Sequence, residues 1–177
     1  MRITFSLLRL LRDCRAIAAI EMAFALPVMC MMTFSLYEVT QGVICYMKVA
    51  DVANSVADLI GQTNLAQGGV GNTDFDNFYL AGQLIMNPSS GSGLGVSVAS
   101  VYFDNNGQNP VENWHVERGG ATPMINATAF VSTLGTANGS SIVVKITYTY
   151  TSALNYFLQA PIDLSVQVAA KPRNLIP

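Results

Sequence analysis

Charge is scarce in this 177-residue chain: Asp, Glu, Lys and Arg make up 11 % of it, against roughly 25 % in an average soluble domain. With 51 % apolar residues, that scarcity excludes a disordered chain, which needs little apolar and much charged composition. The formal net charge of −2 supplies no overall attraction to phosphate, so no nucleic-acid partner is expected. Histidine occurs once, as His115, which leaves no second or third ring nitrogen for a zinc site. Cysteine occurs at Cys14, Cys30 and Cys45 and nowhere later, so the C-terminal part has no disulfide framework. No Gly-x-Ser-x-Gly, phosphate-binding glycine loop or His-Glu-x-x-His is present. Asp104-Asn-Asn-Gly-Gln with Glu112 has its glycine at the wrong step for a calcium loop and reads as a turn. Asp74 and Asp76 read as helix-start charges rather than an acid/base pair. No catalytic residue, metal or cofactor is expected, and the chain does not read as an enzyme.

The charges that are present are unevenly spread. Arg2, Arg9, Arg12 and Arg15 precede a stretch, Ala16 to Tyr37, in which 18 of 22 residues are apolar and Glu21 is the single charge. At 1.5 Å per residue, Ile17 to Leu36 spans ~30 Å, the thickness of a bilayer's hydrocarbon core. One membrane-spanning helix is therefore predicted, with Cys30, Met22, Met29, Met31 and Met32 facing lipid or neighbouring helices. A removable secretory signal is the competing reading, but it ends at a small-x-small site, and Leu36 to Gln41 (LYEVTQ) offers none. The four arginines put the N-terminus on the cytoplasmic side. Glu21 lies ~6 Å inside the apolar stretch. Either it reaches back to the surface beside Arg15, or it meets a cation supplied by another chain.

The run Arg15-Ala-Ile-Ala-Ala-Ile-Glu-Met-Ala-Phe-Ala-Leu-Pro27 resembles the N-terminal signature of TadE/TadG-like proteins, the pseudopilins and minor pilins of the tight-adherence (Flp) pilus system. Ala16 stands where that family usually has Gly, and Met22 where it has an aromatic; Glu21 and Pro27 keep the family's spacing. The resemblance implies cleavage by a prepilin peptidase between Ala16 and Ile17, with Glu21 then fifth in the mature chain. Some relatives instead keep the leader as a plain anchor. Cleavage before Ile17 would create an α-amino cation one helical turn from Glu21, and between staggered subunits that pair could set axial register.

No strong breaker appears between the span and Gly61. Lys48, Asp51, Asn54, Ser55 and Asp58 fall in one polar arc, opposite Cys45, Val49, Val52, Ala53, Val56, Leu59 and Ile60. One helix from Ile17 to Ile60 is predicted, with Gly61 as its C-cap and Pro27 or Gly42 as a kink. The division is then a basic leader (1–16), a transmembrane helix (17–37), its amphipathic continuation (38–60) and an α+β head (61–177).

Within the head, Gln67 to Asn72 reads as a connector. Thr73-Asp-Phe-Asp76 reads as a capping box, opening a short helix with Phe75, Phe78, Tyr79 and Leu80 or Ile85 inward. Val96 to Phe103, Val111 to Arg118, Ser141 to Thr151 and Ile162 to Ala169 read as strands of an antiparallel sheet. The third has Ile142, Val144, Ile146, Tyr148 and Tyr150 on a buried face and Lys145, Thr147 and Thr149 on a wet one. Ala153 to Gln159 reads as a short helix, and Ala121 to Val131 is ambiguous. Val96 to Trp114, the Tyr-rich strand and Pro172-Arg173 are also similar to the TadE/TadG periplasmic region.

The resemblance implies a minor pilin or pseudopilin of the bacterial inner membrane with a periplasmic head. Its partners would be other pilin or pseudopilin subunits, the Tad/Flp assembly proteins and a prepilin peptidase, and its role would be in adhesion. The alternative is an uncleaved single-pass anchor whose head binds other parts of the pilus or secretion machinery. A third reading is a sensor or carbohydrate-binding head using Tyr79, Tyr102 or Trp114 as a platform.

Overall fold

The computed structural model describes residues 14–63, 71–135, 137–155 and 157–173. Arg2, Arg9 and Arg12, the side chains of Arg15 and Ala16, and residues 67–70 of the expected connector lie outside the described residues. The order is α1 (Cys14–Gln62), α2 (Asn72–Ile85), β1 (Leu94–Tyr102), β2 (Val111–Arg118), α3 (Ala127–Val131), β3 (Ser140–Tyr150) and β4 (Ile162–Ala170). The fold is α+β: one long helix carrying a four-stranded antiparallel sheet of order β2-β1-β3-β4.

Helix α1 runs 49 residues without interruption through Pro27 and Gly42, a length of about 74 Å. Pro27 has no N–H to give the Ala23 carbonyl, yet the helical path continues on both sides of it. Gly61, expected as the cap, lies inside the last turn instead, because the end is closed from elsewhere: Arg173 N–H donates to the Gly61 carbonyl at 3.1 Å. The chain leaving β4 thus satisfies an acceptor that a helix terminus leaves open.

Beyond Tyr37 the amphipathic pattern does its packing. Val49, Val52, Val56 and Ile60 of α1 are buried against Val96 and Val98 of β1 and Ile142, Val144 and Ile146 of β3, with Phe75 of α2 closing the side. Leu59, expected inward, is exposed at the margin of its apolar arc; of the alternatives Leu80 and Ile85, Ile85 packs against the core, and Leu80 is exposed on the opposite face of α2. The expected capping box of Thr73 and Asp76 does not form, because α2 starts earlier and its N-cap is a glycine with no side chain to accept an amide. Gly71 is the N-cap, and the Asp74 carboxylate accepts its N–H at 3.0 Å. Arg118 Nε donates to Asp76 at 2.6 Å, tying α2 to β2.

The far face of β3 is only partly wet. Ser141 and Val143 are buried, and Val143 joins Ala99, Val101 and Phe103 beneath Met124, Ala127 and Val131. The segment that was ambiguous in sequence folds across that end of the sheet, while Lys145 and Thr147 farther along stay half-exposed. Ala153 to Gln159 forms no helix among its described residues. Asn155 takes a left-handed φ of 50°, and the Phe157 and Leu158 amides are drawn toward α1.

Gly119 and Gly120 turn the chain out of β2 with φ of +67° and +75°. A side chain at either position carries ~1–2 kcal/mol of backbone strain. At Gly119 the added Cβ would also lie 2.0 Å from the Leu94 carbonyl oxygen, whereas at Gly120 it meets nothing within 4 Å. Thermal unfolding of the full chain in detergent should separate the two substitutions: Gly120→Ala loses about 1–2 kcal/mol, and Gly119→Ala about 3 kcal/mol or more.

Candidate functional site

The first half of α1 has almost no protein around it. Every residue from Ile17 to Phe34 is exposed, and ten large apolar side chains among them, from Ile17 through Phe24 to Phe34, each show more than half their surface. Fully burying such a side chain is worth ~1.5–3 kcal/mol. Covering the remaining half of all ten is therefore worth on the order of 10 kcal/mol, comparable to the whole stability of a domain. Apolar composition on all sides distinguishes this half from an ordinary surface helix. By length and composition it is one helix capable of crossing a membrane.

The residues singled out in sequence lie along this rod. The Ala16–Ile17 bond is within α1, Ile17 and Glu21 are both exposed, and they stand one turn apart on the same face. Pro27 follows inside the same helix. Past Tyr37 the exposed apolar surface does not stop: Val39, Val43, Tyr46 and Met47 remain exposed at the i, i+4, i+7, i+8 spacing of one helical stripe. Val39, Val43 and Tyr46 share an apolar groove with Leu158, Ile162 and Leu164.

At the level where bare rod gives way to packed helix stands Glu38, a buried residue to which the sequence alone assigned no role. Its side chain is 1 % exposed. One carboxylate oxygen accepts N–H groups from Phe157 at 2.8 Å and Leu158 at 2.9 Å. A buried carboxylate is tolerable when it is hydrogen-bonded in this way. Glu38 thereby ties the β3–β4 loop to α1, and the missed signal was its register: it falls on the same face as Cys45, Val49 and Val52. Beside it a cleft of about 310 Å³ opens between α1 and the end of β3, lined by Gln41, Cys45, Lys48, Ser89 and Tyr150 among others. Lys48 Nζ donates to the Asn87 carbonyl. Burial pushes the Cys45 thiol and the Tyr148 and Tyr150 phenols above their ordinary values, outweighing the help that Ser89 and Lys48 give the thiolate.

The remaining chemistry-bearing residues are engaged locally. His115 Nδ1 pairs with Glu112 at 2.6 Å on the exposed face of β2. Asp104 accepts from Asn106 N, Gln108 N and Asn109 Nδ2 at 3.0, 2.7 and 2.8 Å, hydrogen bonds that hold its carboxyl below the usual range. Trp114 packs edge-on against Phe75 at 5.7 Å, and Tyr79 donates to the Leu94 carbonyl, so the structure does not bring Tyr79, Tyr102 and Trp114 together as one platform. Among the described residues no group of three or more His, Cys, Asp and Glu is placed to hold a metal ion. Comparison with known proteins finds no matching family model, no matching curated protein and no matching solved structure.

Two measurements probe this junction. Glu38→Ala leaves two amides without their acceptor and should lower stability by about 1–3 kcal/mol per stranded group, seen as an earlier thermal transition together with faster proteolysis within residues 151–161. The raised acids give a pH dependence with a definite sign. Unfolded Cys and Tyr ionise at their ordinary values of 9.0 and 10.0, while the folded chain holds those protons longer. The stability these three groups contribute is therefore fully present below pH 9.0 and is lost as pH rises beyond the ordinary Cys and Tyr values; Tyr148→Phe should flatten that fall in denaturant titrations at alkaline pH.

Proposed function

We propose that this chain is a membrane-anchored subunit of the pilin or pseudopilin type. Its apolar rod spans a bacterial inner membrane, its head lies on the periplasmic side, and it enters a Flp-type pilus by lateral packing of α1. The observation that carries this reading is the apolar stripe at Val39, Val43, Tyr46 and Met47. A plain anchor needs apolar surface only as far as the bilayer reaches. An assembling helix needs it to continue alongside the head, where neighbouring subunits take the place of lipid.

The signature around Glu21 supports the same reading. A carboxylate at the shallow end of the span costs a few kcal/mol unless a cation meets it. Cleavage before Ile17 supplies one, the new α-amino group, at matching depth on the same or a neighbouring subunit. Because such a pair is costly to break once removed from water, it selects a single axial stagger. The pair serves alignment more than net stability. No catalytic step, cofactor or metal enters this reading.

The test is made in the native host. Glu21→Ala should leave the amount of chain in the membrane fraction unchanged and reduce its recovery with sheared surface filaments at least about tenfold, the factor that ~1.4 kcal/mol of lost pairing produces. Filament incorporation by Glu21→Ala equal to that of the unsubstituted chain defeats the alignment role. N-terminal sequencing of the membrane-purified protein adds the second arm: a start at Ile17 supports a processed subunit, and a start at Met1 supports the uncleaved anchor whose head binds other parts of the machinery.

A further inference from the structure

The loop between β3 and β4 descends alongside the rod. From Thr151 to Ile162 it contains no charged residue. Leu154 lines an apolar crevice with Cys30, Met31 and Phe34 of α1. Those three lie three to seven residues before Tyr37, or about 5–10 Å along the helix toward its N-terminal end. Phe157, at 63 % exposure, points away from the protein. We infer that this loop is a second membrane contact: its tip, carried by Leu154 and Phe157, inserts into the phospholipid leaflet on the head's side of the bilayer.

The inference rests on the reading of α1 as a membrane span, since depth along the rod then becomes depth in the leaflet. The distance matches the ~5–10 Å to which interfacial apolar faces sink into the headgroup–acyl boundary. Irregular backbone is ordinarily excluded from that region because its polar groups lack water. Here partners for four of them are supplied from within. Glu38 accepts the Phe157 and Leu158 N–H groups. The Asn155 side-chain amide, turned as its neighbours require, donates to the Leu158 and Gln159 carbonyls at 3.0 and 3.3 Å. Pro161 has no N–H to satisfy. These four backbone groups are thus paired within the protein while Leu154 and Phe157 face out, an arrangement suited to a leaflet and wasteful in water.

Phe157→Trp in the full-length chain, reconstituted into phosphatidylcholine vesicles, tests this directly. Trp114 is kept as the marker of a folded head, and its contribution is subtracted with the unsubstituted chain. The added emission should be blue-shifted and quenched at least about twofold more by lipids brominated near the glycerol than by lipids brominated at the chain ends, as insertion to interfacial depth requires. Phe24→Trp serves as the rod's own reporter, to be quenched by the deeper bromines. Quenching at position 24 with none at position 157 overturns the loop insertion and leaves the anchor intact. Absence of quenching at both positions removes the anchor and the loop insertion together. Blue-shifted emission from Phe157→Trp that is protected from both bromolipid and aqueous acrylamide means that a second protein surface covers the loop, which also overturns the proposal.

Discussion

One continuous helix in this protein serves two incompatible surroundings, and the hydrogen bonds at Glu38 mark where one gives way to the other. Toward the N-terminus from that carboxylate, α1 is apolar on every side and touches little of its own chain. Toward the C-terminus, it is amphipathic and forms the floor of the core. A buried carboxylate is ordinarily a liability, because removing its charge from water costs more than any single contact returns. Two backbone N–H groups from one loop offset that cost here and fix the loop's position on the helix. The two glutamates of the helix thus occupy opposite situations: Glu38 is satisfied by its own fold, while Glu21 stands on bare helix.

The head follows from the need to cover the packed half of α1. The valines and Ile60 of α1 form a row that a flat, apolar sheet face can cover, and the alternation of β1 and β3 provides that face. Those two strands are central in the sheet; β1 buries every residue but Tyr102, and β3 buries Ser140 to Val144, Ile146 and Tyr148. The outer strands, β2 and β4, are more exposed and carry charges such as Glu112, Arg118 and Asp163, which discourage edge-to-edge pairing with other chains. Arg118 performs a second task by reaching Asp76, so that the outer strand also fastens α2.

Much of this was legible in the sequence because its signals were periodic. The 3.6-residue spacing of Cys45, Val49, Val52, Val56 and Ile60, and the two-residue alternation of Ile142 to Tyr148, each bury what they predict. What could not be read was set by contacts remote in sequence. Ala153 to Gln159 has helix-forming composition but is held open by a carboxylate over a hundred residues away. Val143 is buried by α3, a helix of five residues too short to leave a period. Gly61 resembles a terminus only until the chain returning at Arg173 is seen to cap it. The candidate site divides the same way: the rod with Ile17, Glu21 and Pro27 was visible from composition, whereas Glu38 became visible only through its partners.

Geometry also decides whether lateral packing and loop insertion could coexist on one subunit. At about 100° per residue, Cys30, Met31 and Phe34, the residues beside Leu154, centre near ~45° on the helix wheel, while Val39, Val43, Tyr46 and Met47 centre near ~205°. Leu154 and the stripe therefore take nearly opposite sides of α1, while Leu158, farther along the loop, borders the stripe in the groove it shares with Val39, Val43 and Tyr46. A neighbouring subunit lying along the stripe would meet the loop at Leu158 without reaching Leu154, and a loop tip seated in lipid would leave Val39, Val43, Tyr46 and Met47 exposed. On the proposed reading, the subunit enters the assembly from the membrane with its lateral face already free. Leaving the bilayer then requires only that the loop exchange lipid for another apolar surface. Since Leu154 and Phe157 carry no charge or hydrogen-bonding group, that exchange alters what covers them without stranding a polar atom.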